Sequence, residues 1–246
     1  MRAGIMQPYF FPYIGYFQLI NYVDVFLIYG HVSFRKKSWI TRNQLKDKSL
    51  STSFYYGIPV KKQSSNKLIH SVEIDNAIPW RKKILSYVQT NYGRASFFNE
   101  TYPLIKEVLD FQSNQLMEFN TNSIKVIAAH LGINTPILGQ DYRDFEAVER
   151  QILSRSHPKL DQKSIRIIEL CKQLSCDTYI NPQGGTELYD KKLLSDENLT
   201  LNFLQSRQCQ YEQFAPPFIP NLSIIDVLMH TGKNQIQQHL NAFTIV

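Results

Sequence analysis

Residues 3–29 read AGIMQPYFFPYIGYFQLINYVDVFLIY, and this stretch decides the fold. Residues 3–6 form a short apolar run that Pro8 ends, as expected of a buried strand. Large side chains then recur at helical spacing through residues 13–23, and an uninterrupted apolar run follows at 25–29. A strand, a short helix and a second strand within about thirty residues predict a βαβ unit with parallel strands and a right-handed crossover.

The remainder of the chain continues the alternation of strands and helices. Further strands are predicted at residues 58–60, 68–74, 135–138, 177–180 and 199–204, and helices at 79–92, 100–119, 121–131, 163–174 and from Ser223 onward. The pattern predicts an α/β fold with a mainly parallel, Rossmann-like sheet and helical additions. We expect a single domain over residues 1–246, with a helical subdomain at about 79–131.

Composition restricts the class of protein. Of 246 residues, 43% are hydrophobic, which excludes an intrinsically disordered chain. No apolar run reaches the roughly 18 residues that a membrane span needs, so membrane insertion is not expected. The cysteines Cys171, Cys176 and Cys209 show no C-x-x-C spacing, which argues against a disulfide framework and a structural zinc site. A reducing, cytoplasmic location is therefore predicted.

The charge balance indicates the kind of ligand. Twenty-seven lysines and arginines against 21 acidic residues give a net charge of +6. An excess of this size fits an anionic ligand such as a nucleotide phosphate, and no nucleic-acid partner is expected because no arginine-rich tail or RNA-binding motif occurs. No pair of histidines has the spacing of a metal site, so no metal is predicted.

The first candidate site is the loop between the first strand and the first helix. In parallel α/β sheets, ligands bind outside the carboxyl ends of the strands, and a loop entering a helix there offers free N–H groups to an anion. Gly15 would let a phosphate approach closely. The candidate binding residues are Gln7, Tyr9, Tyr13 and Gly15. The alternative reading is that the aromatic residues, Phe10, Phe11, Tyr13 and Phe17, are simply core.

The same loop is similar in position to a known catalytic motif. Nucleotidyltransferases with an H-x-G-H signature carry two histidines around a glycine at the start of helix one, and here the string is Tyr13-Ile14-Gly15-Tyr16. Phenols stay protonated near neutral pH and can donate to a phosphate oxygen, which makes Tyr16 a catalytic candidate. The cationic assistance of the histidines would be lost, so the architecture is predicted to be shared while nucleotidyl transfer is not.

The second candidate site follows the second strand and is rich in basic residues. His31 has the intrinsic pKa best suited to accept a proton at neutral pH. The basic side chains would neutralise a diphosphate and the indole would stack on a base or sugar, whereas the alternative is an ordinary solvated basic loop. The candidates after His31 are Lys36, Lys37, Trp39, Arg42 and Asn43.

The third candidate site follows the strand at 177–180. A Gly-Gly turn at the carboxyl end of a strand allows a ligand to approach the backbone closely, although such turns are also common elsewhere. All three loops are expected to open on the same edge of the sheet. The candidates here are Asn181, Gly184, Gly185 and Tyr189.

Four strings in chain order resemble the WbqC-like family. They are IMQPYFFPYIGYFQLINYVDVFLIYG at 5–30, SFRKKSWITRN at 33–43, DTYINPQGGTELYD at 177–190 and FAPPFIPNLSIIDVLMHTG at 214–232. The family pattern has an Asp-Asp pair after strand two, where this chain has Gly30-His31. The resemblance implies a cytoplasmic protein of O-antigen or other surface polysaccharide biosynthesis that acts on a nucleotide-linked amino sugar.

Two classes of function follow from this resemblance together with the loops. The first is an enzyme that transfers an acyl or aminoacyl group to the amine of the sugar, with His31 as the base. The second is a non-catalytic protein that binds a nucleotide or nucleotide-sugar, and a diverged nucleotidyltransferase comes third. The sequence identifies no cofactor, while ATP with Mg²⁺ or an activated acyl donor is compatible with the implied reaction. The sequence is also compatible with a homodimer.

Overall fold

A computed structural model gives the fold and describes residues 1–49, 52–61, 66–139, 142, 144–207 and 209–246. The described strands are β1 (Arg2–Met6), β2 (Val25–Ile28), β3 (Arg42–Lys46), β4 (Ser53–Gly57), β5 (Ile137–Leu138), β6 (Thr178–Pro182), β7 (Thr200–Ser206) and β8 (Phe243–Ile245). The described α-helices are α1 (Ile14–Tyr22), α2 (Trp80–Tyr92), α3 (Phe98–Asp110), α4 (Leu116–His130), α5 (Phe145–Ser154), α6 (Gln162–Gln173), α7 (Lys191–Asp196), α8 (Ile224–His230) and α9 (Lys233–Leu240).

The central sheet has six strands in the order β5-β2-β1-β6-β7-β8. The first five are parallel and β8 is antiparallel to β7, which confirms the predicted α/β fold with a mainly parallel sheet. Counted along the chain, the parallel strands lie in the order 3-2-1-4-5, so the strand order reverses between β1 and β6. This reversal is a topological switch point, where ligands of open α/β sheets bind.

Both faces of the sheet are covered. Phe26 and Ile28 of β2 pack into a core shared with α1, α2, α3, α4 and α8, whereas Val25 and Leu27 pack into a second core with α5 and α6. Burial on both faces explains why this strand is a continuous apolar run rather than an alternating one. The segment predicted as a helical subdomain holds α2, α3 and α4, which contribute to the first core.

The predicted element boundaries are wrong in the middle of the chain. Residues 42–46 and 53–57 form the antiparallel hairpin β3–β4 where a basic loop was expected. Residues 58–60 and 68–74 are not strands: they contribute isolated bridges and a short 3-10 helix at Ile69–Ser71. Tertiary packing overrides local propensity here, because RNQLK has little strand character of its own. Helix α3 also ends at Asp110, the helix predicted from Ser223 onward is two helices, α8 and α9, and α5, α7 and β8 were not predicted.

The loop between β1 and α1 is buried and held by side chains from distant segments. Asn43 of β3 donates hydrogen bonds to the carbonyls of Phe10 and Phe11 at 3.1 and 2.7 Å. Asn120 of α4 donates to the carbonyl of Pro8 at 2.8 Å. Phe11 adopts a φ of 41°, in the left-handed region, which costs conformational energy unless the surroundings fix it. The two asparagines supply part of that fixation.

Asn43→Ala tests this anchoring. Removing the amide leaves two carbonyls without that donor, so we expect the free energy of unfolding to fall by about 1–3 kcal/mol. Urea denaturation measures the loss, with Gln44→Ala at the next, half-buried position of the same strand as the control. Equal stability of the two variants would contradict the proposed role of Asn43.

Candidate functional site

The three predicted loops open on the same edge of the sheet. Gln7 follows β1, Asn181 lies near the end of β6, and His31 follows β2 by three residues. Since β2, β1 and β6 are adjacent and parallel, their carboxyl ends lie side by side. We call the space outside the ends of β1 and β6, next to Gln7 and Asn181, the switch-point crevice.

Two amide side chains mark this crevice. Gln7 is half-buried and Asn181 is buried, with 7% of its surface exposed. Neither side chain has a hydrogen-bond partner among the residues that the structure describes. An amide both donates and accepts, which is the capacity needed to bind the hydroxyl groups of a sugar.

His31 is buried beside this edge. The residue is 6% exposed, and its ring stacks on the ring of His70 with centroids 4.1 Å apart, a neighbour that the sequence did not reveal. Its Nδ1 has no partner in the described part of the chain. Burial lowers the pKa of His31 below its ordinary value, and His70 lowers it further, whereas Glu149, Glu146 and Asp144 raise it. The imidazole is consequently neutral at pH 7 and able to accept a proton.

Gly30, directly before this histidine, packs tightly against α4. A Cβ on residue 30 would lie 2.3 Å from the Sδ atom of Met117, well inside contact distance. The methionine sulfur therefore fills the volume that a side chain at position 30 would need.

A polar cluster that the sequence analysis missed lies behind His31. The Tyr29 hydroxyl donates a short hydrogen bond to Glu149, and Arg166 binds the same carboxylate through two hydrogen bonds at 2.6 and 2.8 Å. Burial raises the pKa of Glu149, but the bonds from Arg166 and Tyr29 outweigh burial and lower it overall. Glu149 is therefore a fixed anion near the imidazole.

A sequence signal for this cluster existed. Phe145, Val148 and Ile152 recur at helical spacing after Asp144, which caps α5 by accepting a hydrogen bond from Ala147. Recognising α5 would have placed Glu149 on its surface. The pairing with Arg166 depends on how α5 packs on α6, which local patterns do not specify.

The aromatic loop is mostly core. Phe10, Phe11 and Phe17 are fully buried, which confirms the alternative reading for these three. The Tyr16 hydroxyl donates to the carbonyl of Gln7 at 2.9 Å, so this buried residue supports the loop from behind. Its catalytic role remains a prediction.

Two further candidates of this loop, Tyr13 and Gly15, lie at the start of α1, and Tyr9 lies beside them. The Tyr13 ring fills the space in front of Gly15, because a Cβ there would lie 2.3 Å from a ring carbon. The expected close approach of a phosphate to Gly15 is thus blocked by Tyr13 in this arrangement. Tyr9 is half-buried, with its ring 5.6 Å from that of Tyr16, and the positive charge of Arg35 acts on its hydroxyl.

The basic segment contributes both exposed and buried candidates. Lys36, Lys37 and Trp39 are exposed, so they are accessible to a ligand. Arg42 stacks its guanidinium on the ring of Tyr55, 4.2 Å from the centroid. Asn43 is buried and uses its amide on the loop carbonyls, so it positions the loop and is not free to bind a ligand.

The glycines of the third loop differ in their surroundings. A Cβ on Gly185 would lie 2.0 Å from Nδ2 of Asn181, whereas a Cβ on Gly184 meets no atom within 4 Å. Gly185 therefore makes room for Asn181, and Gly184 leaves open space above the backbone. Tyr189 packs against Tyr179 at 5.8 Å between centroids, which leaves it half-buried.

Two further structural findings concern metals and membranes. Among the described residues, no group of three or more histidine, cysteine or acidic side chains is arranged to hold a metal ion. In that same part of the chain, no helix combines the length and apolar character needed to cross a bilayer.

The two glycines give a matched pair of variants. We expect Gly185→Ala to lower the melting temperature, because the new methyl group displaces the Asn181 amide, and Gly184→Ala to leave it unchanged. Differential scanning fluorimetry of both variants makes the comparison. A melting temperature for Gly185→Ala equal to that of the wild type would show that Asn181 relocates at no cost.

The buried histidine also makes stability depend on pH. The pKa of His31 is lower in the folded than in the unfolded chain, so its contribution is present above pH 6.5 and is lost as the pH falls toward the folded pKa. Wild-type protein should lose stability between pH 7.5 and about 5, and His31→Gln should lose less. Urea unfolding at both pH values measures the difference. His130, His230 and His239 shift in the same direction and are retained in both proteins.

Comparison with known proteins places the chain in a family. An uncharacterized protein of Mycobacterium tuberculosis strain H37Rv, Rv1507c, is 25% identical over 233 residues, which cover 94% of this chain and 94% of that protein. No solved structure matches the chain. The model of the WbqC-like protein family matches residues 7–238, from the first loop to α9. The match includes all three candidate loops and nearly the whole fold, and the chain therefore belongs to the WbqC-like protein family.

Proposed function

We propose that the protein transfers an acyl or aminoacyl group to the amine of a nucleotide-linked amino sugar in the biosynthesis of a surface polysaccharide such as O-antigen. One observation carries this proposal: a buried, neutral histidine lies near three carboxylates and is followed in the chain by an exposed basic segment. The proposed substrate carries the complementary charges, since a sugar ammonium is positive and the nucleotide diphosphate is negative.

The acidic part is the start of α5. The carboxylates of Asp144, Glu146 and Glu149 all act electrostatically on His31. Carboxylates near the imidazole would attract the ammonium of an amino sugar to the base. They stand in a different place from the Asp-Asp pair of the family pattern, yet they are negatively charged as well.

The basic part begins four residues beyond His31. Lys36 and Lys37 are exposed and suited to neutralise a diphosphate. Residues 25–72 contain nine lysines and arginines and one acidic residue, giving +8, so the rest of the chain has 18 basic and 20 acidic residues, giving −2. The excess positive charge of the protein is thus concentrated in this one segment, which favours binding of an anion there.

The chemical step needs one proton acceptor from the protein. His31 removes a proton from the sugar ammonium, and the nitrogen lone pair then attacks the carbonyl carbon of an activated acyl donor. A new C–N bond forms, and the bond from the carbonyl carbon to the donor's leaving group breaks, with its electron pair leaving on that group, which takes up the second proton that the attacking nitrogen loses. The open amides of Gln7 and Asn181 would hold sugar hydroxyl groups during the transfer.

His31→Gln tests the assignment of the base. Loss of a general base typically costs about 10²–10⁴-fold in rate, and wild-type activity should fall on the acid side of a pKa below 6.5. Mass spectrometry of acylated nucleotide-amino sugars measures turnover, and His157→Gln, at a histidine outside this edge, serves as the control. Turnover of His31→Gln near that of the control would remove the base from the mechanism.

A second candidate is a non-catalytic nucleotide-sugar binding protein. The observation that favours it is the stacking of His31 on His70 in a site where His31 is only 6% exposed, which restricts access of a substrate to the imidazole. Saturable binding of a nucleotide-amino sugar without turnover of any acyl donor would support this alternative. Its affinity should be unchanged in His31→Gln.

A further inference from the structure

An exposed pair of aromatic rings lies on the outer side of the β3–β4 hairpin. Trp39, just before β3, is 43% exposed, and Tyr55 of β4 is 50% exposed. Their ring centroids are 6.4 Å apart and their planes are inclined by 33°. Single exposed aromatics are common, but two adjacent ones offer a stacking surface to a ligand.

Arg42 adds a cation to this surface. Arg42 and Tyr55 are diagonal neighbours in the hairpin, because Gln44 is opposite Tyr55 and Gly57 is opposite Arg42. The guanidinium lies 4.2 Å from the centre of the tyrosine ring. A planar cation held on an aromatic ring presents both a stacking face and donors to an anion.

The inner side of the hairpin holds the surface rigidly in place. Asn43 is bound to the loop carbonyls, and the hydroxyls of Tyr56 and Ser223 are 2.7 Å apart in the core. The carbonyl of Trp39 accepts a hydrogen bond from the Phe10 N–H at 2.8 Å. A surface fixed in this way loses little conformational entropy when a ligand binds.

We propose that Trp39, Arg42 and Tyr55 form the nucleobase subsite of the protein. Two ring faces suit a flat base, and the arginine together with the exposed Lys36 and Lys37 suits the phosphates attached to it. A neutral sugar would use the rings but not the positive charge, whereas a nucleotide uses both. The inference rests on the proposed function for its ligand class and adds Tyr55, which neither the motifs nor the family resemblance identified.

Tryptophan fluorescence provides the test. The chain has two tryptophans, and Trp80 is only 3% exposed, so quenching by a stacked base reports on Trp39. The probes are the five common nucleoside monophosphates, ribose 5-phosphate, which lacks the base, and glucosamine, which lacks base and phosphate. We expect saturable quenching by at least one nucleotide and binding at least tenfold weaker for the other two probes.

Variants assign the effect to the hairpin. Tyr55→Leu should weaken nucleotide binding by about 5- to 150-fold, the range found when a stacked ring is removed, and Tyr55→Phe should retain it. Phe214→Leu, at an exposed aromatic outside the hairpin, is the control and should bind as the wild type does. Circular dichroism verifies that the variants are folded.

Several results would overturn the proposal. Equal binding of ribose 5-phosphate or glucosamine would exclude a base subsite, as would undiminished nucleotide affinity in Tyr55→Leu. A single-stranded oligonucleotide bound far more tightly than any mononucleotide would assign the surface to nucleic acid instead. If nucleotide binding depends on Tyr55 but no acyl transfer occurs, the subsite is retained and the proposed reaction is rejected. If Tyr55→Leu turns over substrate with an unchanged KM, the proposed reaction is retained and the subsite is rejected.

Discussion

The fold depends on hydrogen bonds that side chains donate to the buried backbone carbonyls of the loop between β1 and α1. This loop is neither helix nor strand, so its carbonyls have no regular partners, and a buried carbonyl left unpaired costs about 1–3 kcal/mol. Asn43, Asn120 and Ser223 donate to the loop carbonyls from three distant segments, and Tyr16 donates from α1. The N–H of residue 224 closes the set by donating to Pro12.

These hydrogen bonds connect parts of the chain that the pairing of strands in the central sheet does not connect. The hairpin β3–β4, the helix α4 and the start of α8 all contact one loop, and that loop ends the strand at the switch point. The position of Gln7 at the crevice is therefore linked to residues along the chain, from Tyr16 on α1 to Ser223 before α8. Loss of any one donor would therefore disturb the candidate site as well as destabilise the core.

The sequence predicted the elements whose pattern is local. The βαβ unit at residues 3–29 has apolar runs and helical spacing that need no partner to be recognised, and so does α6. The hairpin at 42–57 was missed, because Arg42 and Gln44 face outward and Asn43 is buried for its hydrogen bonds rather than for its hydrophobicity. Polar residues that are buried to satisfy a distant backbone have no local signature.

The candidate site also contains some residues that the sequence predicts and some contacts that only the structure reveals. Residues at the carboxyl ends of parallel strands, such as Gln7, His31 and Asn181, follow from topology once the strands are known. The stacking of His31 on His70 and the Glu149–Arg166 pair join different elements of the fold, so only the folded structure reveals them. Gly15, expected to admit a phosphate, turned out to serve a neighbouring ring instead.

The tight contact of Gly30 with Met117 couples two positions that are 87 residues apart. In a relative with an aspartate at the position of Gly30, the thioether could not remain where it is, so the side chain at position 117 would have to turn away or be smaller. The residues at positions 30 and 117 therefore constrain each other, and this chain represents one solution to that constraint. In this solution, bulk on α4 replaces a carboxylate at the strand end, and the negative charge near the site comes from α5.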